Sequence, residues 1–202
     1  MLFRATRMNA PTVEELADPE LARRWLGWLG CADPERARRD LMDLLGRGGL
    51  EHEWNQVLRH LHELLPSCPD PGMVLRNFDR YLAAHPRLAA QLTLFLLDQR
   101  STEVVVHLFG HSQFFSELII RDPELVTWLR GQPPALDRMT WAEQLGELLA
   151  AETTEAGWLA VVRRFRRREM LRIVYNDIVL DSPLESITLD LSHLADACVE
   201  AV

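Results

Sequence analysis

The chain has 202 residues, and all 22 of its basic residues are arginine, so that 30 carboxylates leave a net charge of −8. The absence of lysine excludes a Walker-type phosphate loop, a Schiff-base lysine and a serine–lysine dyad, because each of these needs an ammonium group. The acidic balance argues against a general nucleic-acid binder, which needs a positive excess to neutralise phosphate. A hydrophobic content of 48% predicts a soluble chain with one or two packed domains.

Residue usage predicts an all-α fold. The sequence contains 35 leucines but only 18 valines and isoleucines together. Leucine, alanine, arginine and glutamate favour helices, whereas β-branched residues favour strands. We therefore expect an irregular bundle or array of about ten helices, including a long arginine-rich helix near residues 154–180.

The predicted helix starts share one design. Asp18-Pro19-Glu20, Asp33-Pro34-Glu35 and Asp122-Pro123-Glu124 each combine a capping aspartate, a proline at the first helical position and a glutamate near the positive end of the dipole. Capping boxes are expected at Thr140 and Ser182, and helix-ending glycines at positions 30, 46 and 131. In chain order, the predicted helices cover residues 13–29, 34–45, 50–65, 71–84, 86–99, 102–110, 113–121, 123–130, 141–151, 154–180 and 183–201.

Two segments rich in proline and glycine are candidate linkers. The first, residues 66–72, is predicted to separate N-terminal helices at residues 1–65 from a second helical region at residues 73–202. The second is Gly131-Gln132-Pro133-Pro134.

The cysteines and the apolar runs indicate the cellular compartment of the protein. Cys31, Cys68 and Cys198 are odd in number and widely spaced, a pattern typical of neither a disulfide framework nor a metal site. The N-terminus lacks the apolar stretch of a signal peptide, and the apolar run at residues 88–97 is too short to span a bilayer. We expect a reduced, cytoplasmic protein with no membrane partner.

The sequence offers no convincing catalytic centre. His107 and His111 have the spacing that can place two imidazoles on one helix face, but the glutamate of a His-Glu-x-x-His motif is missing, and we expect structural histidines. No two aspartates are separated by a single residue, so the Asp-x-Asp pair that binds two Mg²⁺ in nucleotidyltransferases is absent. No catalytic, cofactor-binding or metal-binding residue is predicted.

The densest feature lies between Arg163 and Arg172, where six arginines accompany one glutamate. On a helical wheel, Glu169 falls on the apolar face, so we predict that it is buried in an ion-pair network with Arg166 or Arg172, one turn away on either side. The remaining arginines suggest a surface shared with another domain or a partner, formed by Arg163, Arg164, Arg167 and Arg168.

Two stretches resemble the region that precedes the first catalytic domain of the bacterial glutamine synthetase adenylyltransferases, which both attach and remove adenylyl groups. The first runs from Ser112-Gln-Phe-Phe-Ser-Glu-Leu through Asp122-Pro-Glu to Leu129. The second contains Arg163-Arg-Phe-Arg-Arg-Arg-Glu-Met-Leu-Arg and, further on, Leu191-Ser-His-Leu-Ala-Asp. The resemblance is good from about Val105 to the end and weak in residues 1–65.

This resemblance implies a helical region of a longer enzyme, ending before the nucleotidyltransferase domain that carries the metal-binding carboxylates. The whole enzyme would use ATP and Mg²⁺ to place AMP on a tyrosine of glutamine synthetase, remove it by phosphorolysis, and respond to glutamine and the PII signalling protein. The present 202 residues would be inactive alone and would bind none of these cofactors. Two alternatives are a stand-alone helical interaction module and an RNA-binding domain centred on the arginine-rich helix.

Overall fold

The structure is a computed structural model that describes residues 8–47, 51–85, 99–130 and 137–201. Within those ranges the chain is all-α, as predicted, with ten α-helices and no strand. In chain order the helices are α1 (Pro19–Trp28), α2 (Pro34–Gly46), α3 (Glu51–Leu64), α4 (Pro71–Ala84), α5 (Gln99–His111), α6 (Gln113–Arg121), α7 (Glu124–Arg130), α8 (Arg138–Ala150), α9 (Glu155–Ile178) and α10 (Leu184–Glu200). Of the helix predicted at 86–99, residues 86–98 lie outside the described ranges, as does the candidate linker at 131–134.

The predicted Asp-Pro starts are present in α1 and α2. Asp18 Oδ1 accepts a hydrogen bond from the Glu20 amide at 2.9 Å, and Asp33 Oδ1 accepts one from the Arg36 amide at 3.0 Å. The predicted helix at 13–29 was wrong in its first turn, where a 3-10 helix (Glu15–Ala17) is followed by extended backbone at Asp18. The reason is that proline disfavours helical backbone in the residue before it.

Three other helix ends differ from the predictions. Asp137, not Thr140, caps α8, because its Oδ1 accepts a hydrogen bond from the Thr140 amide at 2.8 Å. The residue preceding α10 is Pro183, and no side chain caps that helix, so the capping box predicted at Ser182 was wrong. Gly46 is the last residue of α2 rather than its stop, whereas Gly30 follows α1 with a φ of 94°, as a helix-ending glycine does.

The chain divides into two compact units, Met1–Asp122 and Pro123–Val202. The first unit contains α1–α6 and the second α7–α10. The segment 66–72, expected as a linker, lies inside the first unit, where Cys68 is buried and its Sγ lies 3.7 Å from the carbonyl oxygen of Val106. The proline content predicted a turn correctly, but the buried side chain of Cys68 joins that turn to α5.

In the first unit, aromatic and aliphatic side chains from α1–α6 form the core. Phe78 of α4 packs edge-on against Phe109 of α5, with ring centroids 5.1 Å apart. Buried Asn77 donates hydrogen bonds to the Phe109 carbonyl at 3.2 Å and to Ser116 Oγ at 3.0 Å, which joins α4 to α5 and α6. The valine run at 104–106 lies within α5 and is helical, as predicted.

The core of the second unit is formed by α8, α9 and α10. Its buried members are Trp141, Leu145, Val161, Phe165, Ile173, Ile187, Leu194 and Ala197. The unit is therefore organised around one side of the arginine-rich helix.

Candidate functional site

The arginine-rich helix, α9, begins where its sequence predicts. Thr154 Oγ1 accepts a hydrogen bond from the Gly157 amide at 3.1 Å, and Glu155 stands in the first turn near the positive end of the dipole. The helix runs for 24 residues to Ile178. The helix is long enough for the six arginines of the cluster to lie alongside α7, α8 and α10.

Glu169 lies at the centre of this helix with 0% of its surface exposed. Its Oε2 accepts hydrogen bonds from Arg172 Nε at 2.9 Å and from Trp141 Nε1 at 3.1 Å. Its Oε1 lies 2.9 Å from Arg168 Nε and 2.8 Å from Arg168 Nη2. Both carboxylate oxygens are therefore occupied by N–H donors, which is what a buried carboxylate needs to offset the loss of its hydration.

Aromatic rings surround the two arginines of this network. The guanidinium of Arg172, also 0% exposed, lies 4.8 Å from the centroid of the Trp141 ring. The guanidinium of Arg168 lies 5.4 Å from both the Trp128 and Phe165 rings. Such cation–π contacts are stronger when water is excluded. Through Trp128 on α7 and Trp141 on α8, the network links three helices of the second unit.

The arginines divide differently from the sequence prediction. Arg166, expected beside Glu169, is exposed; Arg168 forms the second ion pair instead. Arg163, Arg164 and Arg167 are exposed, but Arg168, predicted to belong to the same surface, is half-buried and engaged by Glu169. A helical wheel places every arginine side chain straight out from the helix axis, whereas a long side chain can bend back along the helix to reach a buried charge.

Sequence reasoning missed the partners that other elements supply. Trp128 and Trp141 contact the arginines from separate helices, and the only signal for them was that a buried indole N–H needs an acceptor. Asp190 of α10 also lies in the field of the network. Burial raises the pKa of its carboxyl, Arg172 and His193 lower it, and Glu169 raises it.

A small cavity lies beside the network. Its volume is about 210 Å³, and its lining consists of Leu148, Val161, Arg164, Phe165 and Arg168. This is below the roughly 300 Å³ at which ligand pockets for drug-sized molecules begin. The cavity suits a single side chain rather than a nucleotide.

The paired histidines of α5 remain a structural feature. The helix continues past Gly110 to His111, whose Nδ1 lies 2.8 Å from the His107 carbonyl oxygen. Burial and the neighbouring His111 lower the pKa of His107, which Glu103 partly opposes. In the part of the chain that the structure describes, no group of three or more histidine, cysteine or acidic side chains could hold a metal ion.

The network thus offers hydrogen bonding and packing rather than acid–base or nucleophilic chemistry. Cys31, Cys68 and Cys198 are unpaired. Across residues 8–47, 51–85, 99–130 and 137–201, no helix combines the length and apolarity needed to cross a membrane.

Comparison with known proteins gives a family match to the second unit and to the end of the first. The model of the family described as glutamate-ammonia ligase adenylyltransferase matches residues 102–202. The bifunctional glutamine synthetase adenylyltransferase/adenylyl-removing enzyme of Shewanella loihica is 29% identical over 161 residues, which is 79% of this chain and 15% of that protein. The enzyme of the same description from Nitrosococcus oceani is 34% identical over 96 residues, 46% of this chain and 10% of that protein.

The chain therefore spans about 15% of the length of the first of these relatives. No solved structure matches it. The family match covers all of α7–α10, including every arginine between Arg163 and Arg172. On this evidence the chain belongs to the glutamate-ammonia ligase adenylyltransferase family.

Proposed function

We propose that this chain is a non-catalytic helical part of an enzyme that adenylylates and deadenylylates glutamine synthetase and so controls nitrogen assimilation in the cytoplasm. The observation that carries the proposal is that the family match at residues 102–202 includes the whole second unit, whose most elaborate feature, the buried Glu169 network, joins helices through hydrogen bonds and ion pairs. In this role the unit positions the catalytic domain of the longer protein.

The cofactors of the whole enzyme would act elsewhere in the polypeptide. Transfer of AMP from ATP requires carboxylates that hold Mg²⁺ at the phosphates. The described residues contain no cluster of acidic or histidine side chains that fits a metal ion. We propose that ATP and Mg²⁺ bind in another domain of the longer polypeptide, and that glutamine synthetase and the PII protein are partners of the full-length enzyme.

A chimera tests this proposal. In the Shewanella loihica relative, the segment that matches this chain would be replaced by the 202 residues. We expect the chimera to transfer radiolabelled AMP from ATP to glutamine synthetase, while the 202-residue chain alone and the relative lacking the segment do not. Transfer by the isolated chain would contradict the non-catalytic role, and an inactive but folded chimera would contradict the positioning role.

A stand-alone interaction module is the second candidate. The exposed guanidinium groups of Arg163, Arg164 and Arg167 favour it, because they are free to meet acidic partners. Alanine at these three positions separates the two candidates, since it would leave adenylyl transfer by the chimera unchanged if they serve only an outside partner. A steep fall of RNA binding with salt concentration would instead favour the nucleic-acid alternative.

A further inference from the structure

Helix α10 is apolar on two sides. One side, with Ile187, Leu194 and Ala197, is buried in the core of the second unit. The other exposes Leu184 at 70%, Leu191 at 38% and Val199 at 77% of their surface. A helix with a single packed face normally turns polar residues to solvent, and apolar residues on a second face are typical of a helix packed between two layers. Among its described residues, the second unit supplies the layer that covers Ile187, Leu194 and Ala197 but not the layer on the opposite side.

The exposed side forms a continuous stripe. Leu184, Thr188, Leu191, Ala195 and Val199 follow one another at intervals of three or four residues, which places them along one line of the helix. We call these five residues the α10 stripe. The same spacing is used where two helices pack along their length.

The polar atoms along the α10 stripe are satisfied within the helix. Thr188 Oγ1 donates to the Leu184 carbonyl oxygen, 2.9 Å away, and lies 3.0 Å from the Glu185 carbonyl. Next to it, Ser192 Oγ donates to the Thr188 carbonyl oxygen at 2.9 Å. Covering this surface would therefore leave no hydroxyl without a partner, which removes the main cost of burying it.

The position of the stripe is fixed by α8. Arg138 forms ion pairs with Asp196 and Glu200 of α10. These contacts join the last turns of α10 to the first residue of α8, alongside the core that the two helices share. The α10 stripe is thus presented on an anchored helix.

Exposed apolar side chains are concentrated in the second unit. Among the described residues, eleven large hydrophobic side chains are exposed, and nine of them lie in Pro123–Val202, all within the family match. The matched relatives are several times longer than this chain, which spans 15% of one and 10% of another. A surface of this kind marks an interaction site, and the longer polypeptide is available to cover it.

We propose that the α10 stripe is an intramolecular docking surface, on which an apolar helix from another domain of the full-length protein packs. The proposal rests on the proposed function, because it requires that domain to be present. Through this contact the helical unit would hold the catalytic domain of the full-length protein. A second copy of this chain is the competing occupant.

Thiol labelling of the chimera described above tests the proposal. In a Cys198→Ala background, which removes the native thiol from the same peptide, Leu184→Cys and Val199→Cys place thiols at the two ends of the stripe, and Met42→Cys, on α2, is the control. The rate of maleimide labelling is read peptide by peptide by mass spectrometry in the isolated chain and in the chimera. We expect positions 184 and 199 to label about tenfold more slowly in the chimera, with position 42 unchanged. Adding Leu191→Glu to the chimera should return position 184 to its rate in the isolated chain.

Each outcome decides between the two proposals. Equal labelling of positions 184 and 199 in the isolated chain and the chimera would overturn the docking surface, whether or not the chimera is active. Slower labelling in a chimera that does not transfer AMP would support the docking surface while overturning the proposed function. Labelling that slows as the isolated chain is concentrated would assign the stripe to a second copy and overturn the proposal.

Discussion

Arg172 Nε donates a hydrogen bond to Glu169 Oε2 at 2.9 Å, one helical turn away, and both residues are fully buried. Removing one partner leaves the other charge buried and uncompensated, which typically costs about 3–5 kcal/mol. We therefore expect Glu169→Ala to destabilise the second unit by about that amount. Hydrogen exchange of α9 peptides measures the change.

Two variants make this test specific. Glu185→Ala removes an exposed glutamate of α10 and should leave exchange unchanged. The double variant Glu169→Leu/Arg172→Met removes both buried charges and should recover part of the loss, because an apolar pair needs no counter-charge, although Trp141 Nε1 and Arg168 still lose their acceptor. If the double variant were as unstable as Glu169→Ala, the cost would lie in packing or in these lost hydrogen bonds rather than in the unpaired charge of Arg172.

Gly110 of α5 lies against the side chains of Cys68 and Val74. A Cβ at this position would clash with Cys68 Sγ and stand 3.0 Å from Val74 Cγ2. Gly110→Ala should therefore destabilise the first unit by about 1–3 kcal/mol in urea titrations, as overpacking does.

The matched control is Gly46→Ala, since nothing lies within 4 Å of a Cβ there. That variant should be neutral or stabilising by up to about 1 kcal/mol, because alanine restricts the unfolded chain. Cys68→Ala combined with Gly110→Ala should recover part of the loss; no recovery would point to Val74 as the obstacle.

His62 predicts how the stability of the first unit depends on pH. Its Nδ1 accepts a hydrogen bond from Trp25 Nε1 at 3.1 Å, and its ring stacks on Trp28 with centroids 4.5 Å apart. Burial lowers the pKa of His62 from its ordinary 6.5, against smaller opposing effects of Glu63 and the Met8 backbone. The unfolded chain then binds the proton first, so stability is full above pH 6.5 and declines below it until the folded histidine is protonated too.

Urea titrations between pH 7.5 and pH 5 measure this dependence, over about the range in which histidine titrates. His62→Gln should flatten the decline, whereas His52→Gln, at an exposed position of α3, should not. A residual slope is expected from His107, whose pKa burial also lowers. An unchanged slope in His62→Gln would contradict the assignment to His62.

The capping contacts predict a contrast between two short polar residues. Asp70 Oδ1 accepts a hydrogen bond from the Met73 amide at 2.8 Å at the start of α4, whereas α10 has no side-chain cap. Asp70→Ala should cost about 1 kcal/mol in thermal or urea unfolding, while Ser182→Ala should cost almost nothing. Equal losses would mean that Ser182 caps α10 in solution.

The three thiols should react at different rates. Burial, with a contribution from Asp70, raises the pKa of Cys31 from 9.0 to about 12, and burial raises that of Cys68 to about 11. Because the thiolate is the nucleophile, these shifts alone predict that Cys31 reacts about a thousandfold, and Cys68 about a hundredfold, more slowly than a thiol of ordinary pKa. Burial also raises the pKa of Cys198, against the opposing charge of Arg166. Because Cys198 is only partly buried, it should still react first with a disulfide reagent at pH 8. A fast Cys31 would show that the first unit opens locally.

Local features were predictable from the sequence because their causes are local. The Asp33-Pro34-Glu35 start carries its own cap, proline and charge, and α2 begins there. Burial of Glu169 followed from its place on the apolar face of α9. Both statements need only a few neighbouring residues.

What could not be predicted depends on contacts between distant segments. Trp141 reaches Glu169 across 28 positions of sequence. The segment at 66–72 has the composition of a linker, yet it belongs to the first unit through buried Cys68. Arg168, which pairs with Glu169 where Arg166 was expected, also contacts Trp128 of α7, and no periodicity within α9 reveals that contact.

The Glu169 network also sets where the chain can change in length. Each residue inserted into a helix rotates everything beyond it by about 100°. One residue inserted between Glu169 and Arg172 would turn the buried Arg172 and Tyr175 away from the core, whereas the turns at 151–154 and 179–183 can absorb an insertion. Natural variation in length should therefore collect in those two turns, and the spacing from Phe165 to Tyr175 should stay uninterrupted.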